Sequence, residues 1–178
     1  MDKASECIEA IHSGDVDRLN RLLEENPVLS KAKVDDARTL LHVATDWPGH
    51  FPNVKDTVAI LVRHGADVNA AFRGRHSETP LHWAASCDDL EALDALLDHQ
   101  ADLEARGAVI GGGTPLADAV AFGQWHAARR LVERGARTTL WQAAALGLLS
   151  RVEESFAQEL PKSAIPAHAA IHQDHASH

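Results

Sequence analysis

Apolar residues along this chain fall into short blocks with helical spacing, and the blocks come in pairs. The clearest pair lies between residues 80 and 98. Leu81, Ala84 and Ala85 recur at three- and four-residue intervals in its first block, and Leu90, Leu93, Leu96 and Leu97 do so in its second. That spacing puts each set on one side of a helix. The first stripe is built of small residues, so a neighbouring helix can approach it closely. The second-block pattern returns as Leu19, Leu22 and Leu23, as Val58, Leu61 and Val62, and as Trp125, Ala128, Leu131 and Val132. A series of helix pairs is expected.

A polar phrase opens the first block of each pair. Thr39-Leu40-Leu41-His42, Thr79-Pro80-Leu81-His82, Thr114-Pro115-Leu116-Ala117 and a looser Thr138-Thr139-Leu140-Trp141 start 40, 35 and 24 residues apart. A Thr hydroxyl can cap a helix, and Pro80 and Pro115 suit the first helical position, where an N–H has no partner anyway. Gly65 and Gly135 follow second blocks, where a left-handed residue ends a helix. Gln100 stands at the equivalent place, with a strain of about 1 kcal/mol. From Thr to that residue the interval is 21 in two units but 26 in the unit starting at Thr39. Five extra residues therefore lie between its helices, around Trp47-Pro48-Gly49-His50-Phe51-Pro52-Asn53. From helix ending to next Thr the interval is 14, 14 and then 3, which makes the last connection a tight turn with no room for a hairpin. One helix pair cannot bury its own apolar face, so the units must stack.

The phrases resemble the ankyrin-repeat family. Thr79-Pro80-Leu81-His82 with Ala84-Ala85 carries the resemblance, as do Gly65-Ala66-Asp67-Val68-Asn69 and Gln100-Ala101-Asp102-Leu103-Glu104 at the step from helix to hairpin. Similarity extends over about residues 5–159, with Ser5 to Gly14 as a degenerate opening unit. It implies an all-α solenoid of stacked antiparallel helix pairs with protruding β-hairpin loops, about five units including degenerate caps. The units are about 5–38, 39–78, 79–113, 114–137 and 138–160, within a repeat domain over 1–160; residues 161–178 form a His/Ala-rich tail, flexible or capping. In that family Thr39, His42, Thr79, Pro80, His82, Thr114, Pro115, Gly65 and Gly135 serve the framework. The departure at Trp141, in place of the usual His, implies an apolar contact instead of a hydrogen bond between units.

The same resemblance implies a non-enzymatic module that binds a protein in a groove of hairpins and first helices. Carried onto this chain, the contact positions are Asp35, Asp36 and Arg38, then Arg75, His76 and Glu78, then Val109 and Ile110, with Asp46, Trp47, Ser86, Cys87 and Phe122 at helix ends. The groove then reads acidic at one end, basic in the middle and apolar beyond, which suits a partner with an apolar anchor and a charged rim. Trp47 and Phe51, on the inserted loop, either pack on an adjacent unit or form a preformed contact surface. Trp83 and Trp125 are expected in the core, and Phe122 can face the groove.

Composition narrows the alternatives. The chain has 178 residues, 45% hydrophobic, and a formal net charge of −9. Its Lys and Arg are dispersed, against a nucleic-acid partner. No run of about eighteen apolar residues would span a membrane, and Met1-Asp2-Lys3-Ala4-Ser5-Glu6 is too polar for a secretory signal, so a cytoplasmic monomer is expected. Cys7 and Cys87 lie in different units and are expected to stay unbridged. Asp88 and Asp89 should raise the Cys87 thiol pKa, against a nucleophilic role. Gly111-Gly112-Gly113 leads into Thr114-Pro115 with no Lys after it, so it reads as hairpin and cap, not a phosphate loop. No cofactor and no catalytic residue is expected.

Two other readings stay open. His168, His172, His175 and His178 would share one stripe if the tail were helical, a spacing able to hold a metal, although Pro161 and Pro166 favour a flexible end. Leu149, Val152 and Phe156 form an apolar face with no full unit after it, which fits a regulatory part of a longer repeat protein or a face covered by the tail.

Overall fold

The computed structural model describes residues 2–159. Five helix pairs follow one another: α1 (Lys3–Ser13) with α2 (Val16–Glu25), α3 (Leu40–Thr45) with α4 (Val54–Arg63), α5 (Pro80–Ser86) with α6 (Leu90–Asp98), α7 (Pro115–Ala121) with α8 (Trp125–Glu133), and α9 (Leu140–Ala145) with α10 (Leu149–Glu159). Odd-numbered helices pack on odd from α1 to α9 and even on even from α2 to α8, giving two layers, while α10 packs on α9. The core runs between the layers. Leu40, Leu41, Leu81, Ala84, Ala85, Leu116 and Ala119 come from the first helices, and Val58, Leu61, Leu93, Leu96, Ala127, Ala128 and Leu131 from the second. Among the described residues no helix is long and apolar enough to cross a membrane.

Helix starts follow the Thr phrases. Thr39 and Thr79 close capping boxes in which a histidine takes the place usually held by Glu or Gln. His42 Nδ1 accepts the Thr39 N–H, so the tautomer leaves its Nε2–H to donate at 3.1 Å to the Glu78 carbonyl, on the lead-in to the next helix pair. His82 repeats this on Thr79 and on the Gly113 carbonyl at 3.3 Å. Both rings are fully buried. Burial lowers the His42 pKa to about 4 and lowers that of His82 as well, against the opposing pull of the carbonyl each one contacts. The histidines are neutral fasteners between units.

The fourth phrase is displaced by one residue. Helix α9 is capped by Thr139, not Thr138, and Gln142 supplies the returning bond to the Thr139 N–H at 2.8 Å. The residue standing in the His position is therefore Gln142, and Trp141 takes the place of the buried Leu41, Leu81 and Leu116, where it is half exposed. The doublet Thr138-Thr139 offers two caps, and the second wins because it alone brings an amide side chain to the third helical position.

Helix ends repeat one geometry. Gly65, Gln100 and Gly135 all have positive φ, at 91°, 69° and 105°. Each pairs its N–H three residues back, and the following Ala66, Ala101 or Ala136 bonds to the carbonyl five residues back at 2.9–3.0 Å. Gln100 thus adopts the strained conformation expected of it. Asn69 Oδ1 then accepts the Asp102 N–H, and Glu104 Oε1 the Arg137 N–H, each at 2.8 Å. These bonds link one helix-to-loop step to the next.

The lead-in loops form no strand among the described residues. Each offers too few backbone bonds for a ladder: Val34 N–H to Arg38 carbonyl, Phe72 N–H to Glu78 carbonyl, Gly107 N–H to Gly113 carbonyl. The loops nonetheless stand in a row, joined by Arg73 N–H to Ala37 carbonyl and Ser77 N–H to Gly107 carbonyl. On the opposite side of the stack, α6 and α8 are bridged by ion pairs of Arg130 and Arg134 with Asp94, and of Arg134 with Asp98. Trp125, expected in the core, is 45% exposed at the start of α8, and Ala127, Ala128 and Leu131 do the packing. The unit boundaries at 5–38 and beyond remain a sequence expectation, and the tail over 161–178 lies outside the described residues.

Candidate functional site: an aromatic-lined groove

One concavity of about 490 Å³ runs along the first-helix side. Thr45 and Asp46 at the end of α3, with Trp47 and Pro48 beyond it, form one wall. Glu78 and Trp83 form the floor, Ser86 and Cys87 stand at the end of α5, and Val109, Phe122 and Gln124 close the far side. Of the expected contact positions, Asp46, Trp47, Glu78, Ser86, Cys87, Val109 and Phe122 therefore meet in one place. Trp47 is 82% exposed, Val109 59% and Phe122 50%, although each is apolar.

The inserted loop divides its two aromatics between the two roles open to them. Phe51 stacks on His12 of the first unit, with ring centroids 4.5 Å apart, while Trp47 projects into the groove. The loop is held from both sides. Asn53 Nδ2 donates to the Gly14 carbonyl at 2.9 Å, and the His50 N–H donates to Asp89 at 2.6 Å. These bonds hold the loop that carries Trp47, so little backbone order need be gained there on binding.

Glu78 is only 5% exposed. Its carboxylate accepts the Trp83 indole N–H and the Val109 backbone N–H, both at 2.8 Å, which aims Trp83 and holds the loop before α7. Behind it lies Asp118 on α7, fully buried, with no donor to either oxygen. Burial and then the neighbouring charge of Glu78 drive the Asp118 pKa far above the carboxylate range. The raised pKa keeps Asp118 protonated near neutral pH, which spares the groove floor a second buried charge. Asp118 went unnoticed in the sequence. The available signal was its place four residues after Thr114, where Val43 and Trp83 stand in the preceding units.

Several expected contact residues lie elsewhere or act differently. Arg38 bonds to Asp35 and Asp46, so it braces the groove wall and its charge is taken up within the chain. Asp36 and Arg75 are exposed at loop tips outside the concavity, and Ile110 borders a neighbouring one with Arg106 and Trp141. His76 is no free surface group: it stacks on Phe72 at 4.4 Å, with Nδ1 3.2 Å from Glu78. The middle of the groove is thus acidic rather than basic, since its floor is Glu78.

Cys87 has its thiol pushed up to about 11, first by burial and then by Asp89 and Asp46. Asp88, expected to contribute, turns to His126 at 2.8 Å and the Ala127 N–H at 2.7 Å instead. A thiol so protonated is a poor nucleophile. Cys7 and Cys87 are both free. Among the described residues no group of three or more His, Cys, Asp or Glu is placed to hold a metal ion; His168, His172, His175 and His178 lie outside them.

Residues 74–140 match a family model described as ankyrin repeats in three copies, and residues 50–97 match one described as ankyrin repeats in many copies. Together they cover residues 50–140, half of the chain. The chain is also 37% identical over 90 residues to the serine/threonine-protein kinase VIK of Arabidopsis thaliana. That stretch is 49% of this chain and 18% of the kinase, so the match spans less than a fifth of the relative's length.

Proposed function

The chain belongs to the ankyrin-repeat family, and on that premise we propose that it is a non-enzymatic module whose groove binds one protein partner. Repeats of this family are generally protein–protein interaction modules. The observation that carries the reading is the exposed trio Trp47, Val109 and Phe122 converging, from three units, on a concavity whose walls are fixed by hydrogen bonds. Aromatic anchors around a fixed hollow are what concentrates binding energy in protein interfaces. A rigid stack then docks with little rearrangement. The cytoplasm and a monomeric state fit the same reading.

Similarity to a kinase does not extend the proposal to phosphoryl transfer. The chain contains no H-R-D or D-F-G triplet, the residues that would supply a catalytic base and hold magnesium. What it shares with that protein is a stretch of 90 residues.

The test is capture of the native partner by the intact chain and by two variants. Trp47→Ala should weaken capture by about tenfold or more while leaving the melting temperature unchanged, since the side chain is exposed. Arg134→Ala, on the opposite face, should capture normally. Equal capture by Trp47→Ala and the parent chain would remove the groove from the account.

A further inference from the structure

The groove has a chemical bias that its aromatic lining alone does not set. Two carboxylates border it, Asp46 and Glu78, and no lysine or arginine does. Asp46 is already paired with Arg38. Glu78 is not paired with a full positive charge: it accepts from an indole and a backbone N–H and lies beside His76. Behind it the second carboxyl, Asp118, is fully buried and has no donor. Burial and the neighbouring Glu78 keep Asp118 protonated near neutral pH, so the negative charge at the groove floor is that of Glu78.

The aromatic residues complete the picture. Trp83 rests its inner side on His42 and Phe72, with centroids at 4.9 Å and 5.6 Å, and lines the groove with the rest. Trp47 and Phe122 line it as well. An apolar side chain inserted among them would strip the last water from Glu78 and return nothing for it. A cation would meet the ring faces and the carboxylate together. The chain's net charge of −9 would draw such a partner at long range.

We infer that the groove takes a cationic side chain of its partner, a lysine or arginine, seated among Trp47, Trp83 and Phe122 over the Glu78 carboxylate. The inference rests on the groove reading and specifies its ligand. The hollow of about 490 Å³ admits the long side chain with some of the peptide that carries it. Glu78 supplies the charge, and Trp83, oriented by that same carboxylate, supplies a ring face.

Blocked peptides Gly-Gly-X-Gly-Gly, with X as lysine, arginine, norleucine or glutamate, provide the test on the intact chain. Binding is followed by the indole N–H resonances of Trp47 and Trp83. Lysine and arginine peptides should shift both resonances and bind about tenfold more tightly than norleucine, with the glutamate peptide silent and the difference shrinking as salt is raised. Glu78→Gln, which removes the charge and keeps an acceptor for one of the two N–H groups of Trp83 and Val109, should bring lysine down to the norleucine level while norleucine binds as it does to the parent chain. Trp47→Ala should weaken lysine binding without altering the fold. Norleucine binding as tightly as lysine, or no shift with any peptide, overturns the cation site. Failure of the groove itself is a different result: native partner capture unaffected by Trp47→Ala.

Discussion

The two faces of the stack join the same units by opposite means. On the second-helix face, charges pair with one another across units: Arg130 and Arg134 with Asp94, Arg134 with Asp98. On the first-helix face the buried joints are uncharged, His42 to the Glu78 carbonyl and His82 to the Gly113 carbonyl, while the buried Asp118 carboxyl nearby keeps its proton. One face has its electrostatics satisfied internally, in water, where each pair is worth little. The other keeps its charge buried and unspent beside exposed aromatics. The contrast teaches that cohesion and recognition share the first-helix face, and that charge on the second-helix face serves neither strongly.

The largest effect that would sharpen this contrast is a pH profile in the Asp118→Asn background. His42 has a folded pKa near 4, below its ordinary 6.5, so its contribution is complete above pH 6.5 and is lost as pH falls toward 4. The loss amounts to about 3 kcal/mol, with His82 adding in the same direction. Asp118 acts the other way. Its folded pKa is raised, so it withdraws stability as pH climbs above the ordinary carboxylate range and returns it on acidification. In the parent chain the two opposing trends offset each other. Asparagine keeps the shape and removes the acid, so the variant should be more stable than the parent at pH 7 and fall more steeply between pH 6.5 and 4. Urea unfolding at several pH values checks this; parallel profiles for parent and variant would show that Asp118 does not hold a proton in the folded state.

His42→Ala comes next. It removes an acceptor for the Thr39 N–H and a donor to the Glu78 carbonyl, both buried, and leaves a space beside Trp83. A loss of about 2 kcal/mol is expected, from the Thr39 N–H left without its acceptor, the Glu78 carbonyl reduced to its Phe72 N–H bond, and the space left by the ring. Added salt should not alter the loss, because the joint carries no charge. A salt-dependent loss would mean that the first-helix face is held by charge after all.

How much of this was legible depends on whether a feature repeats. Caps, helix ends and the two histidines recur at fixed offsets, so the positions of Thr39, His42, Thr79, His82, Gly65 and Gly135 could be read directly, and even Gln100 revealed its strained turn by standing where glycine stood. Register was lost where the repeat stuttered, at Thr138-Thr139, because two adjacent caps look alike until the side chain three residues on is considered. Trp125 looked like core by size, yet sits at the mouth of α8, ahead of the stripe that packs. The groove was half legible: the resemblance supplied the walls, while the pairing of Glu78 with Asp118, forty residues apart and unrepeated in other units, leaves no trace in spacing. Nor could spacing tell that Arg38 and His76 would be consumed by contacts within the chain.

The smallest effect is the one that guards the comparison from the other side. Arg134 is about one-third exposed and contacts two carboxylates across units. In water such pairs gain little, because the charges are well hydrated when apart and holding long side chains still costs entropy. Arg134→Ala should therefore lower stability by about 0.5 kcal/mol at low ionic strength, and salt should shrink the difference as it screens the pairs in the parent chain. Partner capture should not change, since the residue lies on the face away from Trp47. Unfolding curves at two salt concentrations, set beside the capture assay, decide the point. If Arg134→Ala were to cost as much as His42→Ala, or to abolish capture, the second-helix face would carry the cohesion or the recognition assigned here to the first.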